Sequence, residues 1–198
     1  MEKLAIPGAY VFTPRIYADA RGHFLEWFRG DDFTGDVGHR LALAQANLSV
    51  SRKGTVRGIH FADVPPGQAK YVICVRGEVL DVIVDIRTGS PTFGMAHAVE
   101  LDDQGHRAVY LAEGLGHAFM ALTDRTILVY LCSKPYTPVR EHAIYPLDNQ
   151  LAIPWPEDVE PLLSDKDAAA PSLAEAQSRG LLPAYDAYLA YTDGLRNT

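Results

Sequence analysis

The sequence predicts an all-β protein built as a sandwich or barrel of two packed sheets, and three observations carry that prediction. Short runs rich in β-branched and aromatic residues recur between Gly, Pro and Asp punctuation. Helical periodicity is weak before residue 170. The chain, 198 residues with 47% hydrophobic and 22% charged, is long enough for one well-buried core and too short for two comfortable domains.

In chain order the predicted strands cover residues 10–17, 41–50, 55–61, 69–76, 78–86, 95–101, 107–111, 117–122 and 126–133. Their number and spacing favour closure into two packed sheets. Arg76-Gly77 reads as a tight hairpin and the stretch from Thr88 to Gly94 as a longer turn. Asp31 to Val37 forms a short helix. Ser172 followed by Glu175 is the signature of a capping box. The reading is one domain over 1–198, with a barrel core at about 40–135 and a C-terminal helical appendage at about 156–198 packed against it. Repeats and low-complexity segments are absent from the sequence.

Charge narrows the partners. A net charge of −7 and a pI near 5.4 oppose a general nucleic-acid or anionic-membrane binder, while leaving room for an anionic small ligand where arginines are focused. The N-terminal residues lack the apolar stretch of a signal peptide, and no window reaches the roughly 18 apolar residues of a membrane span. A cytoplasmic location is expected. Cys74 and Cys132 each lie in an apolar strand-like run without zinc-type spacing, and are read as reduced, buried core thiols rather than a disulfide.

Chemistry enters at His60, an isolated histidine in Val56-Arg57-Gly58-Ile59-His60-Phe61, and at Lys70, equally isolated in Gln68-Ala69-Lys70-Tyr71-Val72. Imidazole suits proton abstraction and ammonium suits a developing oxyanion, so the two form half of an enolisation site. A lone histidine in such a run is by default a satisfied core residue. The company of Arg57, Lys70 and the glycine-flanked His117 shifts the balance, because burying several ionisable groups is costly unless they are paired or functional. Tyr130, in Ile127-Leu128-Val129-Tyr130-Leu131-Cys132, reads alone as a core tyrosine with a bonded hydroxyl. A metal centre is the main rival. It calls for a close His-x-His pair, a carboxylate and a third histidine, whereas Ala62 stands two after His60 and the cation Lys70 stands where a carboxylate would serve.

Arg57-Gly58-Ile59-His60, Gln68-Ala69-Lys70, the stretches from Arg76 to Val82 and from Asp85 to Gly94, Glu113-Gly114-Leu115-Gly116-His117-Ala118-Phe119 and Leu163-Ser164-Asp165-Lys166-Asp167 together resemble the dTDP-4-dehydrorhamnose 3,5-epimerase family, in order from about residue 5 to residue 167. The resemblance implies a cupin-type jelly-roll β-barrel, a homodimer, and an epimerase that acts without metal or cofactor on a dTDP-4-keto-6-deoxyhexose. By motif it makes His60 the catalytic base, Asp167 the carboxylate orienting it, Tyr130 the general acid and Lys70 the cation at the ketone oxygen. It places substrate binding on Arg21, Glu26, Gln45, Asn47, Arg57, His117, Glu141 and Lys166, with Tyr136 stacking on thymine. Leu48 stands where many members have histidine, and Gly116 and Ala118 flank His117 where the order is often alanine then glycine.

Such a site can invert carbon 3, carbon 5 or both. The tail from Leu173 to Pro183 is similar to members from actinobacterial pathways, where single-site epimerases occur. The expected activity is therefore 3,5-epimerisation, with a 3- or 5-monoepimerase of an antibiotic deoxysugar pathway as the alternative. A non-catalytic carbohydrate-binding barrel and a metal-dependent cupin enzyme are the readings from other classes.

Overall fold

A computed structural model, which describes residues 1–197, contains two antiparallel sheets packed face to face. The six-stranded sheet runs β1 (Glu2–Lys3), β2 (Ala9–Phe12), β10 (Ala108–Leu111), β7 (Lys70–Arg76), β12 (Thr126–Cys132) and β5 (Gln45–Ser51). The five-stranded sheet runs β13 (Glu141–Ala143), β6 (Val56–Ala62), β11 (Gly116–Ala121), β8 (Glu78–Val84) and β9 (Ala96–Asp102). A separate hairpin pairs β3 (Ile16–Asp19) with β4 (Gly22–Leu25), and its residues are nearly all exposed. The helices are α1 (Gly30–Val37), α2 (Asp165–Ala168), α3 (Leu173–Ser178) and α4 (Tyr185–Arg196).

Side-chain alternation along each strand divides the apolar residues between an inner and an outer layer. Val72, Cys74, Val109, Leu111 and Leu128 of one sheet meet Val79, Ile83, Val99, Leu101 and Phe119 of the other. The outer face of the six-stranded sheet, with Tyr71, Ile73 and Tyr110, is covered by Phe33 and Val37 of α1 and Tyr188 of α4. The outer face of the five-stranded sheet, with Ile59, Phe61, Val82 and Val84, is covered by Ile144, Leu151, Leu173 and Ala176. Central strands buried on both faces read as near-continuous hydrophobic runs rather than as alternation. Asp81 is therefore conspicuous in β8.

The jelly-roll barrel stands as the sequence implied, with local differences that have physical reasons. Arg76-Gly77 is not a hairpin: β7 pairs with β10 and β12, whereas β8 pairs with β9 and β11, so the turn is a corner carrying the chain from one sheet to the other. The run 10–17 is broken around Pro14, which has no N–H to give a ladder, and its second half joins the exposed hairpin. Residues 41–44 precede β5 rather than forming part of it. The sheets also recruit β1, β2 and β13 from outside residues 40–135.

Asp85 and Arg87, both fully buried, form a bidentate pair, and Ser90 and Thr92 each donate to Asp85 Oδ2 at 2.6 Å. The Arg87 guanidinium lies 4.3 Å from the ring centroid of Tyr188, which ties the 85–94 turn to α4. The capping box is formed: Glu175 N–H donates to Ser172 Oγ and Ser172 N–H to Glu175 Oε2, an arrangement worth about 1 kcal/mol to so short a helix. Both cysteines are free and buried, and burial pushes the Cys74 thiol up to about 12.

Candidate active site

A cleft of about 710 Å³ opens between the two sheets, with β5, β7 and β12 on one wall and β6 and β11 on the other. Its five-stranded wall depends on an irregularity. His60 pairs with His117 but Arg57 pairs with Phe119, so β6 advances three residues while β11 advances two. Residues three apart on a regular strand face opposite ways; the bulge lets Arg57 and His60 line the same cleft. Gly58 makes it possible. Its φ is +125° and a Cβ there would lie 2.4 Å from the His117 carbonyl oxygen, so no side chain fits.

His60 Nε2 lies 2.7 Å from Asp167 Oδ1, with the histidine side chain 36% exposed and the aspartate 5%. Asp167 is brought there by α2, whose N-cap Ser164 accepts from the Asp167 N–H, and by the backbone bonds of Leu162 to Gly54 and Val56. Burial pushes the Asp167 carboxyl up, but hydrogen bonds from His60 and Ser164 and from the Gly58 backbone outweigh it, and the net shift is downward. An ionised Asp167 accepts a hydrogen bond from Nε2–H, which leaves the lone pair of His60 Nδ1 as the available base.

Lys70 and Tyr130 come from the opposite wall. Tyr130 pairs with Val72 and Cys132 with Lys70, which sets Lys70, Val72, Tyr130 and Cys132 on one face together with Gln45 and Asn47. Lys70 is 9% exposed. Burial lowers its pKa, opposed by the negative charge of Glu141 and Asp81 and by Cys132. Burial likewise raises the Tyr130 hydroxyl. Neither side chain donates a hydrogen bond to another described residue, so both are free to address a ligand. Gln45 Oε1 accepts from the Tyr136 N–H at 2.8 Å, Gln45 Nε2 donates to Asn47, and Asn47 Nδ2 reaches Cys132 Sγ at 3.6 Å. Arg57 Nε donates to Ser51 Oγ.

Of the residues expected to form the site, His60, Lys70, Gln45, Asn47, Arg57, His117, Tyr130, Tyr136, Glu141, Lys166 and Asp167 all border the cleft. Arg21 and Glu26 do not. Arg21 sits at the exposed β3–β4 turn bonded to Asp19, and Glu26 follows β4 beside Arg29. Sequence reading passed over Arg52, Gln68, Phe119 and His142 on the cleft wall and Asp81 behind it, which pairs with His117. Asp81 carried the same signal as His60, an ionisable residue inside an apolar strand. Among the described residues, no group of three or more His, Cys, Asp or Glu side chains is gathered to hold a metal, and no helix is long and apolar enough to cross a membrane.

A histidine–aspartate pair facing a cation and a phenol across a jelly-roll cleft is the arrangement of a general acid–base isomerase of the cupin type. Comparison with known proteins makes this specific. The family model for dTDP-4-dehydrorhamnose 3,5-epimerase matches residues 3–175. The chain is 55% identical to the dTDP-4-dehydrorhamnose 3,5-epimerase of Mycolicibacterium smegmatis, over 98% of this chain and 96% of that one. It is 54% identical to the dTDP-4-dehydro-6-deoxyglucose 3-epimerase of Streptomyces bikiniensis, over 95% and 96%. The crystal structure of a 3'-monoepimerase from Streptomyces bikiniensis in complex with dTDP-quinovose superposes with a TM-score of 0.98 at 52% identity, covering all of both chains. The chain belongs to the dTDP-4-dehydrorhamnose 3,5-epimerase family.

Proposed function

We propose that the chain epimerises a dTDP-4-keto-6-deoxyhexose at carbon 3, carbon 5 or both, through an enolate. The observation that carries this reading is the opposition of His60–Asp167 on one wall to Lys70 and Tyr130 on the other. The carbon 4 ketone acidifies the neighbouring hydrogens. His60 Nδ1 takes one as a proton, the C–H electron pair moves into the enolate, and the negative charge settles on an oxygen beside the Lys70 ammonium. Tyr130 then delivers a proton to the opposite face of the same carbon. One proton leaves and one arrives, so the step is redox-neutral and calls for no redox cofactor. Positioned acid–base catalysis contributes roughly 10²–10⁴-fold and one preorganised oxyanion partner about 3 kcal/mol. Arg57 and Lys166 suit the pyrophosphate, and the half-exposed ring of Tyr136 suits the thymine.

The working form in this reading is a homodimer. β5 is an edge strand carrying exposed Leu48 and Val50, and the β3–β4 arm exposes Tyr17 and Phe24, the latter 65%. Edges and apolar arms of this kind call for cover. Arg21 and Glu26 lie on or beside that arm, outside their own cleft, and bind substrate by reaching the cleft of the other protomer.

Regiochemistry has two readings because relatives of nearly equal identity act as a 3,5-epimerase and as a 3-epimerase. Proton NMR with dTDP-4-keto-6-deoxyglucose in D₂O tests both. Deuterium and inversion at carbons 3 and 5 mark the 3,5-epimerase, inversion at one carbon marks a monoepimerase, and exchange at neither defeats the proposal.

A further inference from the structure

We propose that Glu113 is a positioning residue for Lys70, holding the start of β7 in place through the hydroxyl of Ser133. The inference rests on the oxyanion role given to Lys70 above.

Lys70 is the first residue of β7, so nothing N-terminal to it within the strand fixes its backbone. Its neighbours across the ladder are Leu111 of β10 and Cys132 of β12. The residue immediately after Cys132 supplies the missing restraint. Ser133 N–H donates to the Ala69 carbonyl at 3.0 Å, and Ala69 N–H donates to Ser133 Oγ at 2.8 Å. That reciprocal pair continues the β7–β12 ladder one step past Lys70 using a side-chain oxygen. The Ser133 hydroxyl proton is directed to Glu113 Oε1 at 3.1 Å, which leaves the oxygen lone pairs turned toward Ala69.

Glu113 is shielded on its other side by the same segment. Gly67 lies against it so closely that a Cβ at Gly67 would be 2.6 Å from Glu113 Cβ, and Gln68 Nε2 donates to the Lys134 carbonyl at 2.9 Å. Residues 67–69 are thus clamped between Glu113 and residues 133–134. Glu113 is 1% exposed, and its Oε2 finds no partner among the described residues. Burial pushes the carboxyl up, so its neutral form is favoured relative to a free glutamate. A buried polar group left half-satisfied costs stability. Glu113 does not border the cleft and touches no substrate there. What it does touch is the segment that aims the ammonium.

The test compares Glu113→Gln, Glu113→Ala and Ser133→Ala with wild type and Lys70→Ala in steady-state kinetics and dTDP binding. Glu113→Gln keeps an acceptor oxygen for Ser133 and should retain wild-type turnover. Glu113→Ala should lower kcat about 10–100-fold, the cost of a misplacement on the order of 1 Å, with KM and dTDP affinity little changed. A displaced Lys70 is also better solvated, so the alkaline limb of kcat should move to higher pH in Glu113→Ala and stay in place in Glu113→Gln. Wild-type kcat in folded Glu113→Ala, or equal losses of kcat in the Gln and Ala variants, overturns the proposal. Should Glu113→Ala fail to fold, Ser133→Ala carries the decision: a loss in kcat alone supports the role, and unchanged kcat overturns it. Wild-type turnover in Lys70→Ala would instead overturn the oxyanion reading, and this inference with it.

Discussion

His117 Nε2 lies 2.8 Å from Asp81 Oδ2, with the two side chains 8% and 0% exposed, and the second carboxylate oxygen of Asp81 has no partner among the described residues. Two of the histidine–aspartate pairs among the described residues are thus joined directly by the ladder pairing of His60 with His117. They differ in depth. The His60 ring is open enough to meet a ligand, whereas His117 is nearly closed off and its aspartate also sends negative charge toward Lys70.

Removing that charge has a predictable sign. Asp81→Asn keeps an acceptor for His117 but takes away an anion that favours the Lys70 ammonium, so the Lys70 pKa falls further. The alkaline limb of kcat should move to lower pH while the fold is retained. Asp81→Ala strands the His117 donor instead and should cost about 1–3 kcal/mol in denaturant unfolding. An unmoved alkaline limb in Asp81→Asn would show that Lys70 does not govern that limb.

Tyr130→Phe and His60→Ala separate the two halves of inversion. His60→Ala should abolish deuterium exchange at every carbon, and Asp167→Ala should leave a weak remnant because the base persists without its orienting carboxylate. Tyr130→Phe keeps the ring and the packing, so abstraction by His60 and return from the same face survive. Mass spectrometry should find deuterium in the sugar while NMR finds far less epimer than with wild type. Normal epimer yield would move the acid role to another residue or to water.

The buried Asp85–Arg87 pair makes stability fall with acid. Burial raises the Asp85 pKa, but Arg87, Ser90 and Thr92 outweigh it, and the folded value lies below the ordinary 3.8. A depressed carboxyl contributes fully above its unfolded pKa and loses that contribution as pH falls through the folded value. Asp85→Asn, which strands the buried guanidinium, should cost about 3–5 kcal/mol at neutral pH, and the gap to wild type should narrow below about pH 4. Urea unfolding across pH 2.5–7 (an interval set by about one unit around and above the carboxyl range) reads this directly. A gap independent of pH would assign the loss to packing.

The placement of Arg21 and Glu26 outside their own cleft predicts complementation between protomers. Arg21→Ala should raise KM with smaller change in kcat, and His60→Ala should be inactive. When the two variants are unfolded together and refolded, each mixed dimer combines an intact cleft from one protomer with an intact arm from the other. Activity above that of either variant alone supports binding in trans. Activity no greater than the weighted mean of the two confines each site to one chain.

The fold was legible in the sequence where strands sit between turn residues, and less so where a sheet changes. Arg76-Gly77 carries the local chemistry of a turn, but whether a turn closes a hairpin or crosses between sheets is decided by packing on both sides, which local residues do not encode. His60, Lys70 and Tyr130 stood out because each interrupts an apolar run. The two-residue strand β1 and the three-residue β13 are too short to show a period. Glu113 lay inside a motif visible in the sequence, yet its tie to Ser133 spans 20 residues and exists only in the folded ladder.

The extra residue in β6 makes this active site a matter of counting. Substitutions at Arg57 and His60 change chemistry one side chain at a time, whereas any side chain at Gly58 would collide with the His117 backbone and disturb the frame. Without the bulge, Arg57 and His60, three apart, would face opposite ways, and one of those two side chains would turn out of the cleft into the apolar layer beneath α3. Diversification along this strand is therefore open at the side chains that face the cleft and closed at the glycine that lets them share a face.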